Sequence, residues 1–500
     1  MDYFHLGDKR LTIDNLSQVL KEFPKVQLSE RGKSNIAYSR NWLESHIEQM
    51  DEPVYGINTG FGSLCNIQIS DEDLGQLQTN LVRSHNCGTG EEVPADIVRL
   101  MLLLKIHSFA YGYSGIRLET VERLVTFYNE DALPVIYEFG SLGASGDLAP
   151  LAAMSMPLLG EGKMRFKGEL MEAEEVHEKL GLQPLTLKAK EGLALLNGTQ
   201  FMAAYGVFAL IKCREYFSKA NLVGAASIDG FNCKASPFSP LIQNIRGQKG
   251  QMRAAEMVRN ILGDSPTFNS PKEHVQDPYS FRCLPQVHGA SYDVYEHVRG
   301  VVEDEINAVT DNPTVFARQE KVLSGGNFHG QPLAMALDYL AIAYAELGSI
   351  SERRSYNLLS GGRGLPEFLT PKPGLNSGLM IPQYTAATLV NRNKQLCSPA
   401  SADTIPSSNG QEDHVSMGAN SAVKLYELAS NVVKILGIEW LLACQAMHCR
   451  ENIGSSSIIE ELKENFAAEV PPLKDDRDLG PEMEKSRAFL EALNIEKYDI

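Results

Sequence analysis

Ala144, Ser145 and Gly146 stand side by side in the stretch Gly140-Ser141-Leu142-Gly143-Ala144-Ser145-Gly146-Asp147-Leu148-Ala149-Pro150-Leu151. These are the residue types a backbone needs to cyclise onto itself. The Gly146 nitrogen can approach the Ala144 carbonyl only where the chain bends tightly, and a glycine among small residues makes that bend sterically cheap. Loss of water from the ring and from the Ser145 hydroxyl leaves an exocyclic methylidene, an electrophile that none of the twenty side chains supplies. The same residues also suit a small-residue loop opening a helix, with Asp147 in its first turn and Pro150 a little further in.

The elements that must position this stretch read as mostly helical. Residues 1 to 50 suggest a strand or turn followed by helix, and Asp51 to Gly62, with three glycines and a proline, is a loop carrying Tyr55. From Asp71 to Tyr113 apolar residues recur at helical spacing (Leu74, Leu77, Leu81; Ile97, Leu100, Leu104), broken at Gly88-Thr89-Gly90, so two helices are expected. Gly160 to Met171 alternates between glycine turns and reads as a small hairpin. Helix is expected again over 191 to 220, 289 to 310, 330 to 360 and 420 to 450, lengths that suit antiparallel helices in a bundle. The tail from Glu469 reads as a charged surface segment ending in one short helix. The expected fold is therefore mainly α, an elongated multi-helix bundle. A small α+β-containing N-terminal part over 1–200 carries the tripeptide, a long-helix part covers 201–500, and the two form one catalytic unit.

Composition limits the partners. Lys plus Arg number 46 against 63 Asp plus Glu, a formal net charge of -17 over 500 residues, which disfavours nucleic acid and anionic membrane surfaces. A small molecule fits better, although an amino-acid carboxylate then needs a local buried cation. Met1 to Asp14 lacks the apolar segment of a secretory signal, and no run reaches the ~18 apolar residues of a membrane span. Eight cysteines are sparse and are expected to be free thiols of a cytoplasmic protein. Cys444, His448 and Cys449 resemble a metal cluster, but a helix turns those cysteines ~140° apart, so no metal site is expected.

The dodecamer around Ser145 resembles the signature of the aromatic amino acid ammonia-lyases, in which this tripeptide becomes the methylidene-imidazolone (MIO) prosthetic group autocatalytically. Five separated motifs match that family in order over nearly the full chain. The resemblance implies β-elimination of ammonia, a reaction with a poor leaving group and a scarcely acidic β-proton. An electrophile that takes up the amine addresses the first difficulty, and an ionised tyrosine the second. By the same resemblance Tyr55, on a lid-like loop, is the β-proton base, and Asn197 hydrogen-bonds near the MIO group and the substrate carboxylate. Arg282 is the carboxylate fork, Tyr279 handles protons at the MIO, Gln276 completes that pocket and Phe328 packs against ring and substrate. Tyr279 and Arg282 share a face if their segment makes one helical turn. The resemblance further implies a homotetramer whose active sites take residues from several subunits.

Two positions bear on substrate. Ser84 and His85 occupy the family's selectivity pair and are similar to members acting on histidine, although some tyrosine-acting members share them. Gln411-Glu412-Asp413-His414 resembles the histidine-acting members, whereas tyrosine- and phenylalanine-acting members have Asn-Gln-Asp. A carboxylate at Glu412 can pair with an imidazole or take its proton. The expected reaction is therefore L-histidine to trans-urocanate and ammonia, the first step of histidine degradation, with tyrosine elimination or an aminomutase as the alternative. His288, Arg392, Ser398 and Gly410 depart from the histidine-type pattern and leave the cyclising chemistry untouched.

Overall fold

The structure is a computed structural model that describes residues 3–47, 54–57, 59, 60, 62–64, 66, 67, 69–450 and 454–498. Asp51 to Pro53, Asn58 and Phe61 of the glycine loop lie outside the described residues, while Tyr55 lies within them. Among the described residues the chain is mainly α-helical, with four small sheets of two or three strands.

Two compact units emerge. The first comprises Met1–Ile211, Arg299–Asp338 and Pro399–Val423; the second comprises Lys212–Val298, Tyr339–Ser398 and Lys424–Ile500. Four long helices, Gln200–Gly230, Leu284–Glu305, Gln331–Leu358 and Gly418–His448, contribute residues to both.

In the first unit the opening residues hold more order than their sequence suggests. Strands Phe4–Leu6 and Val26–Leu28 pair in parallel, and the helix Ile13–Glu22 supplies the crossover such a pair requires. Thr12 and Asn15 form a reciprocal cap at the start of that helix, a signal that short apolar runs do not reveal. The break at Gly88-Thr89-Gly90 leads into a strand, Thr89–Glu92, paired with Tyr137–Phe139. On either side lie the two expected helices, Leu74–His85 and Ala95–Phe109. The hairpin forms from Lys163–Phe166 and Glu169–Glu172, and Ala132–Pro134 adds a third antiparallel strand.

Ala95–Phe109 is the most enclosed of these helices. It begins after Pro94 with Asp96 in its first turn, where a carboxylate suits the helix dipole, and every residue from Leu100 to Phe109 is buried. A helix apolar on all sides belongs in a core. It nevertheless carries Lys105, which is 2% exposed.

The second unit is built on long helices, including two, Lys249–Leu262 and Met380–Leu396, for which the sequence raised no expectation. Its core holds the fully buried Trp440, whose ring stacks on Phe489 at 6.0 Å and meets Phe466 edge-on at 6.1 Å. Beside Trp440, Glu439 accepts from Arg354 Nε at 2.5 Å and Nη2 at 2.9 Å, and from Ser227 Oγ at 2.6 Å. His288 completes this cluster, with Nδ1 3.1 Å from Asn221 Oδ1 and Nε2 3.3 Å from Arg354 Nη1. Arg392, another departure from the histidine-type pattern, pairs with Glu427 at 2.7 Å on the surface. The helix Gln331–Leu358 is long and apolar enough by length and composition to cross a membrane, yet 67% of its most apolar window is buried inside the protein. Length and apolarity alone do not separate such a core helix from a span. The seven described cysteines are free thiols.

Candidate active site

The Ala144-Ser145-Gly146 segment is a bend clamped at both ends. On its N-terminal side the Leu142 carbonyl accepts the Met417 N–H at 2.8 Å, and the Gly143 carbonyl accepts the Ser416 hydroxyl at 3.0 Å. On its C-terminal side Asp147 N–H donates to the Gly198 carbonyl at 2.8 Å. Gly143 and Gly146 have φ of 62° and 76°, the left-handed region that glycine adopts without strain. Space imposes the same choice: a Cβ on Gly146 would lie 2.3 Å from the Gly198 oxygen, and one on Gly143 would lie 2.2 Å from Ser416 Oγ. These clamps and glycines fit a backbone that must fold onto itself, so the residues present suit the MIO group.

Asp147 does not cap the helix Leu148–Ser155 with its side chain. Its buried carboxylate turns inward and accepts from Ser141 Oγ at 3.0 Å and from Met202 N–H at 3.1 Å. Burial pushes its pKa up to about 7, against the pull of those hydrogen bonds. Asn197, 3% exposed, ends the short helix Glu191–Leu196, and its Nδ2 reaches the Ser145 carbonyl at 3.4 Å. Nearby, the fully buried Lys190 Nζ holds both oxygens of Asp311 at 3.1 Å. Asp311 precedes Asn312, whose Oδ1 accepts from Gly325 N–H at 2.7 Å and fixes the loop before Phe328.

Above this floor is a cavity of about 690 Å³ within the first unit. Ala144, Ser145, Tyr55, Asn197, Phe328, Gln411 and Glu412 all line it, from motifs spread over more than two-thirds of the chain. Ser145 Oγ donates to Glu412 Oε1 at 2.7 Å, and the other carboxylate oxygen accepts from Ser407 Oγ at 2.6 Å. Glu412 is thereby aimed at the tripeptide. The Tyr55 phenol oxygen accepts the Gly62 N–H at 3.3 Å.

Other expected residues do not line this cavity. Ser84 and His85 stand at the end of Leu74–His85, where His85 Nδ1 lies 2.8 Å from the Leu81 carbonyl. Burial lowers the His85 pKa, while Glu412 pulls it the other way. Gln276, Tyr279 and Arg282 belong to the second unit. There Tyr279–Arg282 does form one helical turn, with the guanidinium 4.5 Å from the Tyr279 ring centroid. Tyr279 is 70% exposed, and among the described residues Arg282 has no carboxylate partner and its Nε no hydrogen bond. The arm is held from behind: Asp277 accepts the Lys234 N–H at 2.8 Å and pairs with Arg363, which also donates to the Gln276 carbonyl at 2.9 Å.

The sequence reading missed several lining residues, among them Thr59, Asn312, His329 and His414. His329 Nδ1 accepts from Gln331 N–H at 3.3 Å, so its Nε2 is the donor to the His414 carbonyl at 3.2 Å. His414 ends the Gln411-Glu412-Asp413-His414 stretch and His329 follows Phe328, and only the fold brings their rings within 5.8 Å.

The family pattern for aromatic amino acid lyases matches residues 11–470. This chain belongs to the aromatic amino acid lyase family. The lyase is 46% identical to histidine ammonia-lyase of Symbiobacterium thermophilum, over 97% of this chain and 96% of that protein. It is 43% identical to histidine ammonia-lyase of Idiomarina loihiensis, over 98% and 97%. Among solved structures, histidine ammonia-lyase from Trypanosoma cruzi superposes with a TM-score of 0.90 at 39% identity, covering 98% of the lyase and 93% of that chain. Tyrosine aminomutase from Streptomyces globisporus superposes with a TM-score of 0.93 at 34% identity, covering 98% and 97%.

Proposed function

We propose that this lyase is a histidine ammonia-lyase that converts L-histidine to trans-urocanate and ammonia. The observation that carries the reading is Glu412, whose carboxylate is held by Ser407 and directed at Ser145 inside the cavity. A phenol gives such a carboxylate one donor, whereas an imidazole gives it a donor or, when protonated, a charged partner. The relatives at 43–46% identity over nearly the full chain support the same substrate.

The MIO ring, formed from Ala144, Ser145 and Gly146, supplies an electrophile for the substrate amine. The remaining work falls to side chains. Tyr55 Oη accepts the β-proton, and the Gly62 N–H stabilises the negative oxygen that makes it a base. Asn197 fixes the tripeptide carbonyl, Phe328 offers an aromatic wall, and Gln411 with Glu412 reads the imidazole. Ser84 and His85, outside the cavity lining, are the selectivity pair on this reading, with His85 near enough to Glu412 to feel its charge. Arg282, a planar fork with no carboxylate partner among the described residues, suits the substrate carboxylate, with Tyr279 and Gln276 beside it. Because these three are outside the lining of the cavity, we assign them to the site of another copy in a homotetramer with shared active sites. The enzyme works in the cytoplasm on this reading.

The likeness to tyrosine aminomutase gives tyrosine chemistry standing as a second reading. Release of urocanate, coumarate and cinnamate from equal concentrations of the three amino acids separates them. Urocanate dominates on the histidine reading; coumarate, or a β-amino acid retaining its nitrogen, overturns it. Sedimentation showing a fully active monomer contradicts the shared site.

A further inference from the structure

One buried cation beneath the cavity has no part in the roles above. Lys105 lies in the core helix Ala95–Phe109, flanked by Leu104 and Ile106. Its Nζ donates to the Asn197 carbonyl at 2.5 Å and stands 5.0 Å from the Phe109 ring centroid. A buried ammonium ordinarily takes a carboxylate partner. Here Asp311 is held by Lys190 and Asp147 by Ser141 and Met202, and among the described residues Lys105 has no ion pair. Burial lowers its pKa to about 7, against the opposing pull of Asp311 and Asp147, so keeping a cation there works against the fold. A methionine would fill the same volume without that cost.

What the cation holds is specific. The Asn197–Gly198 peptide is the surface on which the tripeptide rests: Asn197 Nδ2 reaches the Ser145 carbonyl, the Gly198 carbonyl takes the Asp147 N–H, and Gly146 and Gly198 pair as an isolated bridge. A charge-assisted hydrogen bond to that peptide both fixes its plane and strengthens its dipole. We propose that Lys105 is a positioning residue for closure of the Ala144-Ser145-Gly146 ring, acting through the Asn197–Gly198 peptide.

The closure forms a bond between the Gly146 nitrogen and the Ala144 carbonyl carbon. The Ala144 oxygen departs as water with the amide protons of Gly146 and Ser145, and the Ser145 hydroxyl departs as a second water with the Ser145 Cα proton. No oxidant or co-reactant is needed. Lys105 exchanges no atom in this sequence; it holds the platform on which Gly146 meets Ala144.

The inference rests on the reading of this tripeptide as a ring-former, and the test separates the two. Intact mass and near-ultraviolet difference absorbance are measured on the wild type, Lys105→Met and Leu103→Ala, each at matched soluble concentration with its Tm recorded. Leu103 is fully buried in the same helix and controls for general weakening of the core. The wild type and Leu103→Ala should lack two waters. Lys105→Met should retain them, with the matured fraction reduced on the order of ten- to hundredfold after equal incubation. If Lys105→Met is insoluble, Lys105→Gln replaces it, with a loss in the same direction. Maturation of the Lys105 variant to the wild-type extent with unchanged kcat overturns the inference, as does an equal defect in Leu103→Ala. An unmodified wild type overturns the ring reading instead.

Discussion

Two of the molecule's clusters of buried charge are built differently. In the second unit Arg354 and Glu439, both fully buried, satisfy one another through two hydrogen bonds, with Ser227 and His288 closing the remaining directions. In the first unit Lys190 and Asp311 form a comparable pair, but Lys105 serves a backbone carbonyl and Asp147 serves a hydroxyl and an amide. The first arrangement is closed on itself, and its use is to hold helices in register. The second leaves charges that do not neutralise each other directly beneath a cavity, and both are displaced by burial to pKa values of about 7. Beneath the cavity Lys105 and Asp147 hold backbone groups, whereas in the second unit Arg354 and Glu439 hold each other.

The largest effect that sharpens this contrast is expected at Ser145. Ser145→Ala has no hydroxyl to lose, so turnover should fall by at least about 10³-fold, while stability changes by no more than about 1 kcal/mol. Glu439→Gln should behave in the opposite way. Breaking one member of a buried ion pair costs about 3–5 kcal/mol of stability, seen as a lower denaturant midpoint, while the folded fraction keeps its modified tripeptide. Loss of the modification in that folded fraction would break the contrast.

Acid should act through the buried histidines. His107, in the same helix as Lys105, accepts the Gly7 N–H on Nδ1 at 3.3 Å, and burial lowers its pKa from 6.5 to about 4. A depressed histidine keeps its contribution above its unfolded pKa and loses it as protons bind the unfolded chain. Stability should therefore be fully present above pH 6.5 and fall between pH 6.5 and about 4, by roughly 3 kcal/mol from this group. A thermal-unfolding series over that range, repeated with His107→Gln, should show a shallower slope in the variant.

The smallest of these effects is expected at the ring pocket. Glu412→Ala removes a hydrogen bond to a charged group, worth about 1.5–3 kcal/mol, or roughly a ten- to hundredfold loss in kcat/KM for histidine. Because Ser407 and Ser145 both donate to Glu412, steady-state assays should be paired with intact mass, so that a maturation defect is not read as lost recognition.

These regions were not equally legible in the sequence. The bend at Gly146, the tyrosine loop and the four longest helices follow from local signals, namely the small size of glycine, turn composition and a 3.6-residue period, whereas Lys249–Leu262 and Met380–Leu396 do not. In the sequence Lys105 is a lone charge among Leu102, Leu103, Leu104 and Ile106, which marks the helix as interrupted but names no partner. Its partner, the Asn197 carbonyl, is 92 residues away, and no spacing rule reports a backbone acceptor at that distance. The same holds for His329 and His414, and for Ser407, whose grip on Glu412 depends on a tight turn from Ser407 to Glu412. The arm Gln276 to Arg282 reads clearly as a motif. Its exposure, and the anchoring of Asp277 by Lys234 and Arg363, come from tertiary packing.

The central claim is that Ala144, Ser145 and Gly146 close into an electrophilic ring on the platform of Asn197 and Gly198. Intact-mass measurement of the purified wild-type chain, with peptide mapping across Gly140 to Leu151, tests it most directly. The expected mass is lower than that of the translated sequence by two waters, with the whole loss in the peptide holding Ala144 to Gly146. An unmodified Ser145 in that peptide from catalytically active enzyme would contradict it.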